Sequence, residues 1–582
     1  MRVRKIEYLL LAGLAAAALF VHGYHLGAED QAIYLPGIRK MLDPRLYPYD
    51  SGLFLPQTNA TWFGNLIAWT VRYAPFACAV LVVIGFLLLV FLGLRGSLRL
   101  AGRLVPGLRP RWTGASMVAS ILTLPVAGTA ILIAGERMYP EGHTQLFNRL
   151  IAFTIRYGHV SLSTVVFFYY ILSLFLILLG CFKLARRMFN ETCAQWAGVC
   201  LVASLLTIPV AGTALYIVDE YLHPRALATF AVLFALLPIF PSEAPEEPVG
   251  QSRLRTRDFL WMFFWVAFAA LFHIQMAFYG ALLIAFLLFK MPRRSTPLAT
   301  ASIIPFHSLF EPASKGWRKA ARTRTENYLA LWHWYEWLGV IAPLALLAWF
   351  SRLARRHKLP RVEFLAHRLM LFGFFGLAAG LVLTTPPELE RLTPYQPMRT
   401  FQMVYLLFFL IAGGFIGKWF LRNSLWRWLA LFVPLCFGMF YAQHRLYPES
   451  PHIEWPGVRN PNPWVQAFFW VRHNTPENAY FALDPRFMEL PGEDYHGFRA
   501  FAERSQMADV VKDPGVVSLF PQAGNAWMEQ TAALSGWKHF TLRDFQRLKE
   551  QFGVSWVVVQ QPGVPGLTCP YQNNAVRVCR IE

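Results

Sequence analysis

The chain has 582 residues, of which 55% are hydrophobic and only 15% are charged, against roughly 25% charged residues in soluble domains. The formal net charge is +20. Lys and Arg cluster in short segments between apolar runs, however, and the usual nucleic-acid-binding motifs are absent, which argues against a nucleic-acid partner. There is no Walker loop, GxGxxG helix start, HExxH or CxxC motif, so ATP-driven transport and nicotinamide chemistry gain no support.

Apolar runs that could cross a bilayer recur over the first 442 residues. About 20 apolar residues span the ~30 Å hydrocarbon core as a helix, and the backbone of a single lipid-exposed segment must be helical. We therefore predict an all-α polytopic membrane protein with about 13 spans, near residues 6–23, 75–94, 112–134, 160–182, 194–217, 226–241, 259–273, 275–290, 296–310, 337–351, 362–384, 400–417 and 427–442. The segment 296–310 is short and contains Pro305 and His307, so the sequence leaves open whether it spans.

The chain divides into a transmembrane domain, residues 1–442, and a polar C-terminal domain, residues 443–582. The positive-inside rule places the N-terminus in the cytoplasm and the C-terminal domain in the periplasm of a bacterial inner membrane. A short helix at Leu542–Gln551 before a strand-like Gly553–Val559 predicts a small α/β fold there. Cys569 and Cys579 lie in the same domain, and an oxidising compartment favours a disulfide between them.

A tandem repeat with an offset of 84 residues relates segments 61–140 and 145–224. Leu122-Thr-Leu-Pro-Val-Ala-Gly-Thr-Ala130, for example, returns as Leu206-Thr-Ile-Pro-Val-Ala-Gly-Thr-Ala214. Both copies run in the same direction, so the repeat is parallel, unlike the inverted repeats of many transporters. The shared prolines are expected to kink helices, and the shared glycines to permit close helix packing.

The first extracytoplasmic loop contains an acidic pair, Glu29 and Asp30, shortly after the first span. Such carboxylates can act as a general base or hold a divalent metal, Mg²⁺ or Mn²⁺. A solvated loop or a helix N-cap is the structural alternative.

A second polar cluster follows the second repeat copy and comprises Asp219, Glu220, His223 and Arg225. Arg225 opens the next helix, where backbone N–H groups add positive potential, so the cluster suits a phosphate. An interfacial salt bridge explains it equally well.

Three further residues lie at predicted membrane boundaries. His273 separates two short apolar stretches, Glu336 lies within the aromatic segment Trp332–Trp337, and Arg399 opens a span. Each is a candidate for substrate or phosphate binding. The alternatives are a polar helix break, interfacial anchoring of the aromatics and a snorkelling arginine.

One span, an extracytoplasmic loop with an early acidic pair, many further spans and a C-terminal extracytoplasmic domain together resemble the type-C glycosyltransferases. That resemblance implies a polyprenyl-phosphate-linked sugar as donor and a catalytic acid in the first loop, at Glu29 or Asp30. The chain also looks like an uncharacterised family of bacterial multi-pass proteins, in segments around Glu29–Asp50, Trp332–Trp337, Gln396–Arg399 and Trp470–Pro476. That second resemblance implies no established activity.

We accordingly expect a membrane glycosyltransferase that moves a sugar from a polyprenyl-phosphate donor to an extracytoplasmic acceptor, which the sequence does not identify. Arg225 and Arg399 would hold the phosphate. The carboxylate of Glu29 or Asp30 must lie ~3 Å from the acceptor proton that it removes, and one sugar separates it from the phosphate. We therefore expect this carboxylate within about 10–15 Å of at least one of the two arginines. A transporter or lipid flippase, and a non-catalytic assembly protein, are the alternatives.

Overall fold

The computed structural model describes residues 5–74, 161–241, 254–288 and 314–582. The chain forms two compact units, one comprising residues 1–65 and 166–582 and the other residues 66–165. The predicted spans 75–94, 112–134 and 296–310 lie outside the described residues, as do most of repeat copy 61–140 and the start of copy 145–224. The superposition of the two copies therefore stays a prediction.

Helices described within the first 446 residues include, in chain order, α1 (Lys5–His22), α2 (Gln31–Leu42), α3 (Leu55–Asn59), α4 (Leu162–Met188), α5 (Thr192–Ser204), α6 (Pro224–Leu236), α7 (Thr256–Phe272), α8 (Ile274–Leu288), α9 (Lys315–Thr323), α10 (Trp334–Arg356), α11 (Pro360–Thr384), α12 (Thr400–Ile416) and α13 (Leu425–Leu446). Within the described residues, six helices are long and apolar enough to cross a membrane: Lys5–His22, Leu162–Met188, Trp334–Arg356, Pro360–Thr384, Leu389–Leu421 and Leu425–Leu446. Thr192–Ser204, Pro224–Ile239 and Ile274–Leu288 are shorter apolar helices.

The predicted span 194–217 is wrong in its second half. Helix α5 ends at Ser204, and residues 205–223 form an irregular segment in which Val210 N–H donates to the Leu215 carbonyl at 2.8 Å. Pro209 has no N–H and disfavours a helical conformation at the residue before it. It therefore lies in a turn rather than at a helix kink, and this turn brings Thr213 and the residues up to His223 to one end of the helices.

Helix α6 lies at the centre of the helical region. Pro224 occupies its first turn, where a missing N–H costs nothing, and the side chain of His223 caps it by accepting from Arg225 N–H at 2.9 Å. Every residue from Pro224 to Leu236 is buried, as expected for a helix that is apolar on all sides and enclosed by others.

The C-terminal segment contains helices α14 (Pro463–Asn474), α15 (Phe498–Ala502), α16 (Asp513–Leu519), α17 (Gly524–Ala533) and α18 (Leu542–Phe552), and strands β1 (Tyr480–Ala482), β2 (Ser505–Gln506), β3 (Trp556–Gln560), β4 (Thr568–Gln572) and β5 (Val576–Arg580). The strands form one mixed sheet in the order β2-β1-β3-β5-β4. Strand β1 runs parallel to β2 and β3, whereas β3–β5 and β5–β4 are antiparallel. A small α/β fold is therefore present, and a Cys569–Cys579 disulfide joins β4 to β5.

Local sequence explains the best-predicted part of this fold. Thr541 and Asp544 form a capping box at the start of α18, and Gly553, with φ +75°, ends the helix. Phe545 and Leu548, one helical turn apart, are buried against β3. Spacing of this kind and a glycine just past the last turn are typical helix signals.

Candidate functional site

The acidic pair lies on a segment enclosed by the C-terminal residues. Tyr24 N–H donates to the His452 carbonyl at 3.0 Å and its own carbonyl accepts from Glu454 N–H at 2.8 Å, while Glu29 N–H donates to the Tyr495 carbonyl at 2.9 Å. Glu29 adopts φ +53°, a left-handed conformation uncommon for a residue with a side chain. The first loop is therefore fixed in place rather than solvated along its length.

Glu29 and Asp30 share one cation. Lys512 Nζ pairs with Glu29 Oε2 and lies 3.4 Å from Asp30 Oδ1. The lysine side chain is 10% exposed, whereas those of Glu29 and Asp30 are 26% and 32% exposed. The carboxylates are thus accessible to a ligand, while the ammonium approaches them from the protein side.

His223 contacts the other oxygen of Asp30, with Nε2 3.3 Å from Oδ2. Its Nδ1 accepts from Arg225 N–H and so carries no proton; in a neutral ring the proton then lies on Nε2. Burial, followed by the charge of Arg225, lowers the pKa of His223, which keeps the ring neutral. His223 is therefore an N–H donor directed at Asp30.

The same neighbours keep Asp30 ionised. Burial acts to raise the pKa of Asp30, but the charge of Lys512 and the hydrogen bond from His223 outweigh it and hold this pKa well below the usual carboxyl range. At rest, Asp30 is consequently an ionised acceptor of two hydrogen-bond donors.

Arg225 and Asp219, both predicted to bind phosphate, pair with each other. Arg225 Nη2 lies 2.8 and 2.7 Å from the two carboxylate oxygens of Asp219, and both residues are almost fully buried. Glu220 is buried too, and Tyr447 O–H donates to its Oε1 at 2.5 Å. Burial raises the pKa of Glu220 to about 8. These three side chains make internal contacts, so any action of Arg225 on a ligand is through its charge.

His273 and Arg399 border the same region. The rings of His223 and His273 lie 5.8 Å apart, and burial together with the neighbouring His223 lowers the pKa of His273 well below its usual value. Arg399 Nη1 donates to Gln275 Oε1 at 3.2 Å, and Arg399 interacts electrostatically with Arg225 and Asp30. The fold thus brings Asp30 and both predicted arginines into one region.

The Glu336 side chain caps the start of its own helix. Its Oε2 accepts from His333 N–H at 2.6 Å, which completes a capping box at the start of α10. Trp332 is buried and packs against Gly212. A substrate-binding role for Glu336 stays a prediction, whereas its capping role is present in the structure.

Sequence patterns did not indicate Lys512 or Gln275. Lys512 is 482 residues from Asp30 and belongs to a polar stretch that looks like any solvated turn. Its neighbours Asp509 and Asp513 are buried around Arg499, but nothing local distinguishes it. Only the packing of the C-terminal segment against the first loop brings it to the acidic pair.

A divalent metal at the acidic pair stays a prediction, and two features of the described residues bear on it. No group of three or more His, Cys, Asp or Glu side chains suited to a metal occurs in the described part of the chain. The Lys512 ammonium also lies between the two carboxylates, where a cation would need to bind.

The sequence matches no protein-family model. A search of curated proteins gives no match either. Among solved structures, the apo crystal structure of the oligosaccharyltransferase of Archaeoglobus fulgidus is similar over 96% of this chain and 70% of that chain, at 15% sequence identity and a TM-score of 0.26. A TM-score of this size carries no argument about activity, so the candidate site is interpreted from its own geometry.

Proposed function

We propose that the protein is a membrane glycosyltransferase that moves a sugar from a polyprenyl-phosphate donor to an extracytoplasmic acceptor. The observation that carries this proposal is the convergence of a partly exposed, ionised Asp30 with the N–H donor His223 and the positive charges of Arg225 and Arg399. A transferase of this kind needs an oxygen base for the acceptor and positive charge for the leaving phosphate.

In the proposed reaction, Asp30 accepts the proton of the acceptor hydroxyl. The acceptor oxygen forms a bond to the anomeric carbon, and the bond from that carbon to the phosphate oxygen breaks, with the electron pair leaving on the phosphate. Arg399, which opens α12, would stabilise that developing charge, as would the field of the buried Arg225. A bound phosphate would also raise the pKa of Asp30 by placing a negative charge nearby, making it a stronger base when the donor is present.

Glu29 and Lys512 would position Asp30 rather than react. The shared ammonium fixes both carboxylates, and the proposed chemistry uses no metal step.

The proposed orientation of the protein in the membrane is based on the basic end of the helices, where Arg186, Arg187 and Arg361 lie. We infer that this end is cytoplasmic and that the candidate site and the C-terminal segment are periplasmic, at a bacterial inner membrane.

The test uses the full-length protein in liposomes with polyprenyl-phosphate sugars and an extract of bacterial envelope lipids as acceptor source. We expect release of free polyprenyl phosphate, a product common to every acceptor, at a rate above protein-free liposomes. Movement of the intact donor between leaflets without cleavage would indicate the flippase. If the donor is neither cleaved nor moved, an assembly protein is favoured. Either of these two results, movement without cleavage or no change at all, would overturn the proposal.

A further inference from the structure

Helix α9 has one basic side and one small, apolar side. Its basic residues occur at positions i, i+3, i+4 and i+7, which share one side of a helix, and all four are exposed: Lys315, Arg318, Lys319 and Arg322. We call these four residues the basic face. The opposite side is buried and consists of Gly316, Trp317, Ala320 and Ala321.

The buried side of α9 packs against α16 and α17 of the C-terminal segment. Trp317 is 2% exposed, and its Nε1 donates to the Ser518 carbonyl at 2.9 Å. A Cβ added to Gly316 would clash with the Gly524 carbonyl, so the two backbones are in close contact. Because this packing fixes the rotation of α9 about its axis, the basic face is held outwards.

The basic face keeps an excess of positive charge. Arg318 and Arg322 share a single carboxylate, that of Glu390, to which their Nε atoms donate at 3.0 and 2.9 Å. Lys315 and Lys319 form no ion pair with any residue that the structure describes. Like charges one helical turn apart repel each other, so an anionic partner that contacts several of them at once would relieve that repulsion.

The outer end of α10 lies close to the chain that follows α9. Trp332 Nε1 donates to the Glu326 carbonyl at 3.2 Å, so this connection is bonded to the start of α10. Trp334 and Tyr335, the first residues of α10, are 76% and 55% exposed. Exposed aromatic residues at the end of a span are typical of the lipid headgroup region, which places α9 beside the membrane surface.

The position of Glu390 supports the same location. It belongs to the turn Pro387–Tyr395, which follows the membrane-crossing helix α11. In the orientation proposed above, α9 lies on the translocated side of the membrane, where clustered basic residues are uncommon. A basic cluster retained on that side is therefore expected to have a specific anionic partner.

The dimensions of the basic face favour a surface over a small anion. Lys315 and Arg322 are seven residues apart, which is about 10 Å along a helix. One small anion could contact only part of that length, whereas a membrane surface presents several phosphates side by side. The negative surface potential of anionic lipids attracts basic residues close to the membrane.

We propose that the basic face of α9 binds the phosphate groups of anionic phospholipids in the leaflet next to the candidate site. This interaction does not depend on the proposed transfer reaction. Helix α9 packs on α16, which Lys512 directly precedes, so anionic lipid would also stabilise the C-terminal segment in the position that brings Lys512 to the acidic pair.

The test compares thermal unfolding of the full-length protein in nanodiscs of phosphatidylcholine with rising fractions of phosphatidylglycerol. A ligand that binds only the folded state raises the unfolding midpoint, and the fraction that gives half of the rise measures an apparent affinity. Lys315→Gln combined with Lys319→Gln removes two exposed charges and leaves both bonds to Glu390 intact. We expect this double variant to weaken the apparent affinity about tenfold.

The matched control is Lys538→Gln combined with Arg543→Gln, which removes the same charge from exposed positions elsewhere in the C-terminal segment and should leave the apparent affinity unchanged. Lys315→Arg combined with Lys319→Arg should also leave it unchanged, because both charges remain. About 0.5 M NaCl should reduce the effect of phosphatidylglycerol on the wild type, since exposed charges are screened.

Equal apparent affinities of the glutamine variant of α9 and the wild type would overturn the assignment. Polyphosphate added to nanodiscs of pure phosphatidylcholine tests for a soluble polyanion. If polyphosphate raised the midpoint through Lys315 and Lys319 while phosphatidylglycerol did not, the partner would be a soluble polyanion and the lipid assignment would be wrong. The proposed transferase is tested separately, by polyprenyl phosphate release.

Discussion

At the scale of single residues, the candidate site is defined by what surrounds Asp30. His223 and Lys512 bind its two oxygens, and each comes from a different part of the chain. These contacts keep the carboxylate ionised and oriented, yet a third of its side chain stays exposed. The Arg225–Asp219 pair is almost fully enclosed, so within the site access separates Asp30 from Asp219 and Glu220.

Replacing Asp30 by Asn should abolish transfer while preserving the fold. The amide keeps the shape and can still accept from His223, but it cannot take a proton, and loss of a general base typically costs 10²–10⁴-fold in rate. Asp43→Asn is the matched control, because Asp43 pairs with the exposed Arg45 away from the site. The measurement is the rate of polyprenyl phosphate release; equal rates for the two variants would exclude Asp30 as the base.

Lys512→Met should move the pH dependence of the transfer rate. Lys512 lowers the pKa of Asp30, so removing its charge raises that pKa and the carboxylate becomes ionised only at higher pH. The acidic limb of the pH–rate profile should therefore shift to higher pH, and Lys512→Arg should restore most of the original profile. The exposed Lys538→Met serves as control. A lower rate with an unmoved profile would mean that Lys512 acts on folding alone.

Sequence reasoning found Asp30, His223, Arg225 and Arg399 because an ionisable group between apolar runs is rare and so is informative. It could not find Lys512, which lies in an ordinary polar stretch. It also could not distinguish Arg225, committed to Asp219, from Arg399, since both open helices in the same way. Pairing between residues far apart in sequence depends on packing, which local patterns do not record.

At the scale of elements, small residues determine how closely the central helices approach. Among the elements that the structure describes, helices α5 and α12 make the most extensive contact. A Cβ added to Gly413 would lie 2.6 Å from the Ala197 carbonyl oxygen, and one added to Gly198 would lie 2.7 Å from the Leu410 carbonyl oxygen. Close backbone approach at glycine is a common mode of helix association in membranes.

Gly413→Ala should therefore destabilise the protein, by roughly 1–3 kcal/mol for an overpacked site. The added methyl meets backbone on the facing helix, which cannot rotate away as a side chain could. Gly438→Ala on α13 is the control, because a Cβ there meets nothing within 4 Å. Thermal unfolding followed by tryptophan fluorescence in detergent should show a lower midpoint for the first variant alone; matching midpoints would mean that α5 and α12 can separate at little cost.

A predicted span is wrong where the segment is apolar but its backbone is not helical throughout. Residues 194–217 are apolar enough to span, but α5 ends at Ser204, and Pro209 lies in an irregular turn in which Ala211 and Ala214 adopt positive φ. Residues 362–384 contain no proline before the end of α11, whereas residues 337–351 stay helical within α10 despite Pro343. Hydropathy measures whether a segment can be buried, and a buried irregular turn meets that criterion as well as a helix does.

At the scale of the whole molecule, the first loop and the C-terminal segment are joined by buried charges. Arg499 binds Asp50 of the loop as well as Asp513. Glu454 lies between His25 of the loop, at 3.1 Å, and His496, at 2.8 Å. All of these residues are buried. The same interface between the first loop and the C-terminal segment places Lys512 at the acidic pair, so the site depends on this packing.

Glu454→Gln tests that interface through the pH dependence of the protein's stability. Burial acts to raise the pKa of Glu454, but His496 and His25 outweigh it and lower it to about 2, below the ordinary value of 4.5. A lowered carboxyl pKa stabilises the fold above about pH 4.5, and that stabilisation is lost as the pH falls towards 2. The pKa of His496 is raised by Glu454 although burial opposes it, so its contribution is present below pH 6.5 and is lost as the pH rises through the folded value.

We expect the wild-type midpoint of thermal unfolding to decline gradually below about pH 6.5, since burial lowers the pKa of His25, His223 and His273 and their protonation opposes folding. In Glu454→Gln the imidazoles of His25 and His496 lose their counter-ion, so their protonation opposes folding more strongly and the decline is steeper than in the wild type. At pH 6 the variant should be less stable by roughly 1–3 kcal/mol, the cost of a broken buried hydrogen-bonded partner. Glu489→Gln, on a half-exposed pair with Arg486, should match the wild type throughout. If Glu454→Gln also matched it, the buried triad would not hold the C-terminal segment to the first loop, and the docking of Lys512 would need another cause.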